Sequence, residues 1–220
     1  AGMSVQMAEY VCHTLIRHFR EFDQYEHDTR RGQWSFRRPR LRQEFPVGIM
    51  GLGVLGQRVA QAVAQFEFPL NGWSRSPRQV DGVRCYAGPE QLPDFLAASR
   101  VLVCLLPLTE ETRGILNRQT LAQLQPGAYL INVARGSVVD EPALIEALQR
   151  GVIAGAGLDV YADEPRVPAA LRALPNAVLT PHMASGTAQT RGAMSDLTLA
   201  NLQAHFDGQP LRTPVPECRA

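Results

Sequence analysis

The 220-residue chain is 45% hydrophobic and 20% charged, the balance of a soluble globular protein. Its 22 bases and 21 acids leave a net charge of +1, which argues against nucleic acid as a partner, because nonspecific phosphate binding needs a basic excess. Every base is arginine, so a phosphate-binding, Schiff-base or general-base lysine is excluded among these residues.

No apolar run approaches the ~20 residues that span a bilayer, and the start does not read as a signal peptide. A soluble, cytoplasmic protein without a membrane partner is expected. Cys12, Cys85, Cys104 and Cys218 are far apart and form no CxxC pair, so neither a common zinc framework nor a disulfide scaffold is expected, and no metal site.

In chain order, the first element predicted is a helix from Met7 to about Tyr25, with Val11, Leu15, Phe19 and Phe22 on one face. An arginine-rich connection follows, Arg30 to Arg42, interleaved with Trp34, Phe36 and Pro39, which reads as a solvated linker. From Pro46 short apolar runs alternate with amphipathic segments. Strands are predicted at 46–53, 70–76, 101–107, 128–134, 154–161 and 177–182, with helices at 54–66, 89–99, 117–125, 140–150 and 168–174. Continuous apolar strands separated by helices indicate a parallel sheet covered on both faces, the doubly wound α/β class. The last helix, Thr187 to Phe206, carries Met194, Leu197 and Ala204 on one face. Leu199, Leu202 and Phe206 widen its apolar surface beyond what one contact needs.

Gly51-Leu52-Gly53-Val54-Leu55-Gly56 is a GxGxxG between a predicted strand and a predicted helix, the context that makes the motif informative. Gly51 allows the turn, Gly53 lets the backbone approach a pyrophosphate and Gly56 lets helix and strand pack closely. The amides of Val54 and Leu55 face the anion. At the end of the second strand no acid lies between Glu67 and Asp81 to hold a ribose 2′-hydroxyl. Arg75 stands there between Ser74 and Ser76, a set suited to a 2′-phosphate, so NADP(H) is expected over NAD(H). Three more polar groups close later strands: Asn132 to Gly136, Asp159 through Glu164, and Thr180-Pro181-His182. Strand carboxyl ends are where such sheets bind ligands.

These residues resemble a family. GLGVLG, LLPLTEETRGILN, INVARGSVVDEPAL, AGLDVYADEP and LTPH, in this order over residues 46 to about 206, are similar to the cofactor domain of the D-isomer-specific 2-hydroxyacid dehydrogenases. WSRS and the leading helix and arm are similar to the glyoxylate and hydroxypyruvate reductase group. The resemblance implies an NADPH-dependent reductase of a small 2-keto acid. Arg135 would bind the substrate carboxylate and polarise the keto oxygen, and His182 would be the general acid. Glu164 would hydrogen-bond His182 and favour its charged form. Asp159 would lie near the nicotinamide carboxamide, with Leu106, Pro107, Thr112, Val133, Ala134 and Ser185 as further cofactor contacts. Residues 1–45 would form an inter-domain and dimerisation helix and arm, 46–185 a Rossmann-type dinucleotide-binding domain, and 186–220 a helix and tail packing on a substrate domain. Family members begin with that substrate domain. Nothing here corresponds to it, and Ala1-Gly2 reads as a scar or cut site, so a fragment without useful turnover of its own is expected. The alternative on the same fold is a corepressor-like, nucleotide-sensing interaction protein.

Overall fold

The computed structural model describes residues 3–214. Cys218 and the end of the expected tail lie outside the described residues. Most residues of the inner strands are apolar on both sides because helices cover both faces. Seven parallel strands follow the order β3-β2-β1-β4-β5-β6-β7: β1 (Val47–Met50), β2 (Leu70–Ser74), β3 (Arg84–Ala87), β4 (Val101–Cys104), β5 (Tyr129–Asn132), β6 (Gly155–Leu158) and β7 (Ala177–Leu179). The order reverses direction between β1 and β4. In a doubly wound sheet that switch point opens a crevice beyond the carboxyl ends of the strands.

The period-two alternation of strand side chains sorts the core into two layers. Val47, Ile49, Val101, Val103, Tyr129 and Ile131 point to one face, under α1 (Met3–Phe19) and α3 (Val54–Ala64). Met50, Leu102, Cys104, Leu130 and Leu158 point to the other. There they meet α4 (Leu92–Ala97), α5 (Arg118–Leu121), α6 (Glu141–Gln149) and Leu171 of α7 (Ala169–Arg172).

Helix α1 belongs to this core. Met7, Val11, Leu15 and Phe19 recur at helical spacing and are buried against α3 and β5. Each such side chain contributes ~1.5–3 kcal/mol on burial. The first helix expected to run to Tyr25 is interrupted: α1 stops at Phe19, Glu21 takes a left-handed φ of 56°, and α2 (Phe22–Arg30) starts in a new direction. Phe22, expected on the buried face, is therefore 40% exposed. The arginine-rich connection is also pinned more than a solvated linker would be. Arg37 pairs with Asp28 at 2.9 Å and Arg40 with Glu21 at 3.0 Å, and Arg42 lies over the Phe19 and Phe68 rings.

One strand escaped the sequence reading. β3 is an edge strand that opens on Arg84 and is only partly buried, so it lacks the continuous apolar run of its neighbours. The final helix, α8 (Ala188–Phe206), has Thr187 as its N-cap and no buried residue. Met194, Leu199, Leu202 and Phe206 on it are all exposed. No helix of the described residues is long and apolar enough to cross a membrane.

Candidate active site

The carboxyl edge of the sheet gathers the expected residues. After β1, Gly51 turns the chain at φ +111°, a conformation that strains any residue with a side chain. A Cβ on Gly56 would sit 1.8 Å from the Gly51 carbonyl oxygen, so only glycine lets α3 pack this close to β1. A Cβ on Gly53 would meet no protein atom within 4 Å; it would fill the cradle in front of the helix. The first amides of α3, those of Val54 and Leu55, have no acceptor within the helix and carry the positive end of its dipole. This geometry fits a dinucleotide pyrophosphate.

At the end of β2 the expected trio divides. The buried Ser74 hydroxyl donates to the Ser76 carbonyl at 2.8 Å and stiffens the turn. Arg75 and Ser76 are exposed on that turn, and Arg78, which the sequence reading passed over, is exposed close by. The Glu111 carboxyl is held below its ordinary value, first by the Thr109 hydroxyl, then by backbone hydrogen bonding and the Arg75 charge. The Thr112 hydroxyl, expected at the cofactor, donates to the Pro107 carbonyl at 2.6 Å and closes that loop on itself.

A cleft of about 530 Å³ lies at the switch point, lined by Arg135, His182, Asp159 and Ser185. Its apolar side is formed by Leu55, Leu106, Pro107, Val133 and Ala134. Four more residues that the sequence did not single out also line it, Met3, Met7, Leu105 and Leu108. Met3 and Met7 come from α1 and reach the cleft only through tertiary packing, which no local pattern could announce.

Arg135 follows β5 on a turn built by Asn132, whose side-chain oxygen accepts the Ala134 amide at 3.1 Å and whose amide group donates to the Arg135 carbonyl at 3.2 Å. A Cβ on Gly136 would lie 1.8 Å from the Tyr161 carbonyl carbon, so glycine here lets the Arg135 turn press against the Tyr161–Glu164 loop. His182 Nδ1 lies 2.7 Å from Glu164 Oε2, and Glu164 Oε1 accepts the Tyr161 amide at 3.0 Å. Burial pushes the Glu164 carboxyl up. The His182 hydrogen bond, the Tyr161 amide and the charges of His182 and Arg135 outweigh it and leave Glu164 below its ordinary value. Asp159 is 1% exposed and both its oxygens accept hydrogen bonds, from the Thr180 hydroxyl and from the Met183 and Ala184 amides. Its carboxylate therefore builds the His182 loop, whatever it offers the cleft.

Residues 12–184 match the model of the D-isomer specific 2-hydroxyacid dehydrogenase NAD-binding domain. The chain belongs to this family. A glyoxylate/hydroxypyruvate reductase A of Yersinia enterocolitica is 42% identical over 216 residues, covering 97% of this chain and 67% of the relative. Among solved structures, a D-isomer specific 2-hydroxyacid dehydrogenase from Xanthobacter autotrophicus Py2 in complex with NADPH and MES superposes with a TM-score of 0.84. It is 43% identical, over 97% of this chain and 88% of that one. An NADPH-dependent glyoxylate/hydroxypyruvate reductase from Sinorhizobium meliloti, in complex with NADP and sulfate, gives 0.85 at 34% identity, over 98% and 69% of the two chains. This dehydrogenase chain thus spans about two thirds of the length of its curated relatives.

Proposed function

We propose that the chain carries the cofactor site and the proton donor of an NADPH-dependent reductase of small 2-keto acids of the glyoxylate or hydroxypyruvate type. The observation that carries the reading is the meeting of Arg135 and the Glu164-paired His182 on one cleft, beside a loop shaped for a dinucleotide. The names of the relatives support the substrate class.

NADPH, when bound, supplies hydride; the chain's own residues do the rest. The Gly51–Gly56 turn and the first amides of α3 would hold the pyrophosphate, and Arg75, Ser76 and Arg78 the 2′-phosphate. The Arg135 guanidinium pairs with the substrate carboxylate and draws electron density from the keto oxygen. His182, whose Nδ1 is engaged by Glu164, offers Nε2 and gives its proton to that oxygen as the alkoxide forms; the reverse reaction takes it back. Leu55, Leu106 and Val133 supply apolar walls that keep water from the reacting carbon.

The relatives' extra length and the exposed face of α8 support a further domain covering Leu199, Leu202 and Phe206. Pairing of two copies through the arm is supported by Trp34 and Phe36, large apolar side chains held outside the core. Light scattering of wild type against a Trp34→Ser/Phe36→Ser variant reads it: the dimer should become a monomer. A nucleotide sensor would need the glycine loop but not the Glu164–His182 pair, so the pair favours the enzyme. The deciding experiment, in the complete gene product, is NADPH oxidation followed by absorbance with glyoxylate or hydroxypyruvate, which should fall steeply on His182→Ala while NADPH still binds.

A further inference from the structure

His182 sits at φ +54°, in the left-handed region that a residue with a side chain enters at a cost and keeps only where its surroundings hold it. The Glu164 bond orients the ring; it does not hold the backbone. Asp159 does. Its carbonyl accepts the His182 amide at 2.8 Å, Oδ1 accepts the Met183 amide at 2.9 Å, and Oδ2 accepts the Ala184 amide at 2.8 Å. The fourth partner is the Thr180 hydroxyl, 2.6 Å from Oδ1. Thr180 is the donor in that bond and so spends its single proton on Asp159. The Tyr10 hydroxyl lies 2.8 Å from the same Thr180 oxygen and must therefore be the donor in that bond.

The result is a directed chain from α1 to the catalytic loop: Tyr10 to Thr180, Thr180 to Asp159, with Asp159 accepting the loop amides. Burial pushes the Tyr10 hydroxyl above its ordinary value, so it keeps its proton and stays a donor. The contact depends on how closely α1 lies on the sheet. A Cβ on Gly157 of β6 would come 2.4 Å from Thr14 Cγ2, so glycine there lets α1 settle and brings Tyr10, one turn earlier, to the end of β7. On the other side of Thr180, the Tyr161 hydroxyl donates to its carbonyl at 2.9 Å.

We propose that Tyr10 is a positioning residue for His182, its hydroxyl locking α1 to the 180–184 loop through Thr180 and Asp159. Because α1 also places Met3 and Met7 in the cleft, the tie makes an apolar wall and the proton donor one unit. The catalytic part of this rests on the reductase reading above; the structural part does not.

Tyr10→Phe keeps the ring and removes only the hydroxyl. In this chain, amide hydrogen exchange at Met183 and Ala184 should quicken about tenfold, the effect of one net hydrogen bond, with Ile49 of β1 unchanged. Thr180→Ser, which keeps the hydroxyl, should preserve protection, and Thr180→Val should lose it. In the complete gene product, Tyr10→Phe should lower kcat with glyoxylate about tenfold at unchanged KM for NADPH, and Thr180→Ser should retain kcat. Unchanged exchange at Met183 and Ala184 in Tyr10→Phe overturns the proposal, as does quickened exchange with an unaltered kcat. Quickened exchange in a protein that reduces no keto acid upholds the tie and removes the reductase reading alone.

Discussion

Glu164 joins two loops through one carboxylate: Oε1 takes the Tyr161 amide at 3.0 Å and Oε2 meets His182 Nδ1 at 2.7 Å. The imidazole is thereby held in one orientation, with Nε2 free for chemistry. Since these bonds depress Glu164 below its ordinary value of 4.5, its ionised form is favoured in the folded state. The stability it contributes is present above the unfolded value and is lost as pH falls through the folded one. Glu164→Gln should therefore be less stable than wild type near neutrality, and the gap should close on acidification. Urea midpoints measured at about pH 7 and about pH 4 check this; a gap that is constant across that range would contradict it.

His18 makes the opposite kind of demand on pH. It stacks on Tyr129 with ring centroids 4.0 Å apart, and its buried Nε2 has no partner among the described residues. Burial, with the nearby charges of Arg40 and Arg100, pushes it down to about 3 from 6.5. The unfolded chain takes up a proton that the folded chain refuses, so stability falls as pH drops from 6.5 toward 3, by at most about 1.4 kcal/mol per pH unit. His18→Phe keeps an aromatic on Tyr129 and removes the proton site. Its acid unfolding curve should be flatter in that window; a curve parallel to wild type would show that His18 does not titrate on unfolding.

Cofactor choice should rest on the turn after β2. With the Ser74 hydroxyl spent on the Ser76 carbonyl, the exposed Arg75 would be the main cation for a 2′-phosphate, and the exposed Arg78 the second. Arg75→Ala should weaken NADPH by about tenfold, the lower end for a charge-assisted contact because the site is wet, and leave NADH almost untouched. The Arg75→Ala/Arg78→Ala pair should bring the two cofactors nearly level. Fluorescence titration reads both, and equal losses for NADPH and NADH would contradict the assignment.

Much of this was legible in the chain itself. The strands were visible because burial on both faces makes them continuous apolar runs, and the glycine loop because its steric demands leave little choice of residue. β3 was hidden because it is only partly buried and opens on Arg84, and the break at Glu21 because nothing in the helical period requires the turn that the Arg40–Glu21 pair then fixes. Arg135, Glu164 and His182 could be named from motifs. That Asp159 spends its oxygens on the loop, that the Ser74 hydroxyl goes to the Ser76 carbonyl, and that Tyr10 reaches Thr180 across 170 residues are outcomes of packing, not of spacing.

The chain alone should bind NADPH yet turn over a keto acid poorly. The glycine loop and the Arg75 turn lie within it, but His182 has a side chain 44% exposed and Arg135 is open to solvent. Hydride transfer needs a near-attack geometry and a dry cleft; orientation is worth roughly 7–11 kcal/mol, and losing half costs about three orders of magnitude in rate. Comparison of the purified chain with the complete gene product, by NADPH titration and by turnover of glyoxylate, tests this. Turnover within about tenfold of the complete protein would show that no further wall is needed.

The role proposed for His182 is to deliver the proton while the rest of the site holds cofactor and substrate. Its most direct measurement is the NADPH-linked reduction of glyoxylate by His182→Ala in the complete gene product, alongside the NADPH dissociation constant of the same variant. Turnover should fall roughly a hundredfold to ten-thousandfold, the range for removing a general acid, with NADPH affinity unchanged. Turnover retained within about tenfold of wild type would contradict the assignment of His182 as the acid.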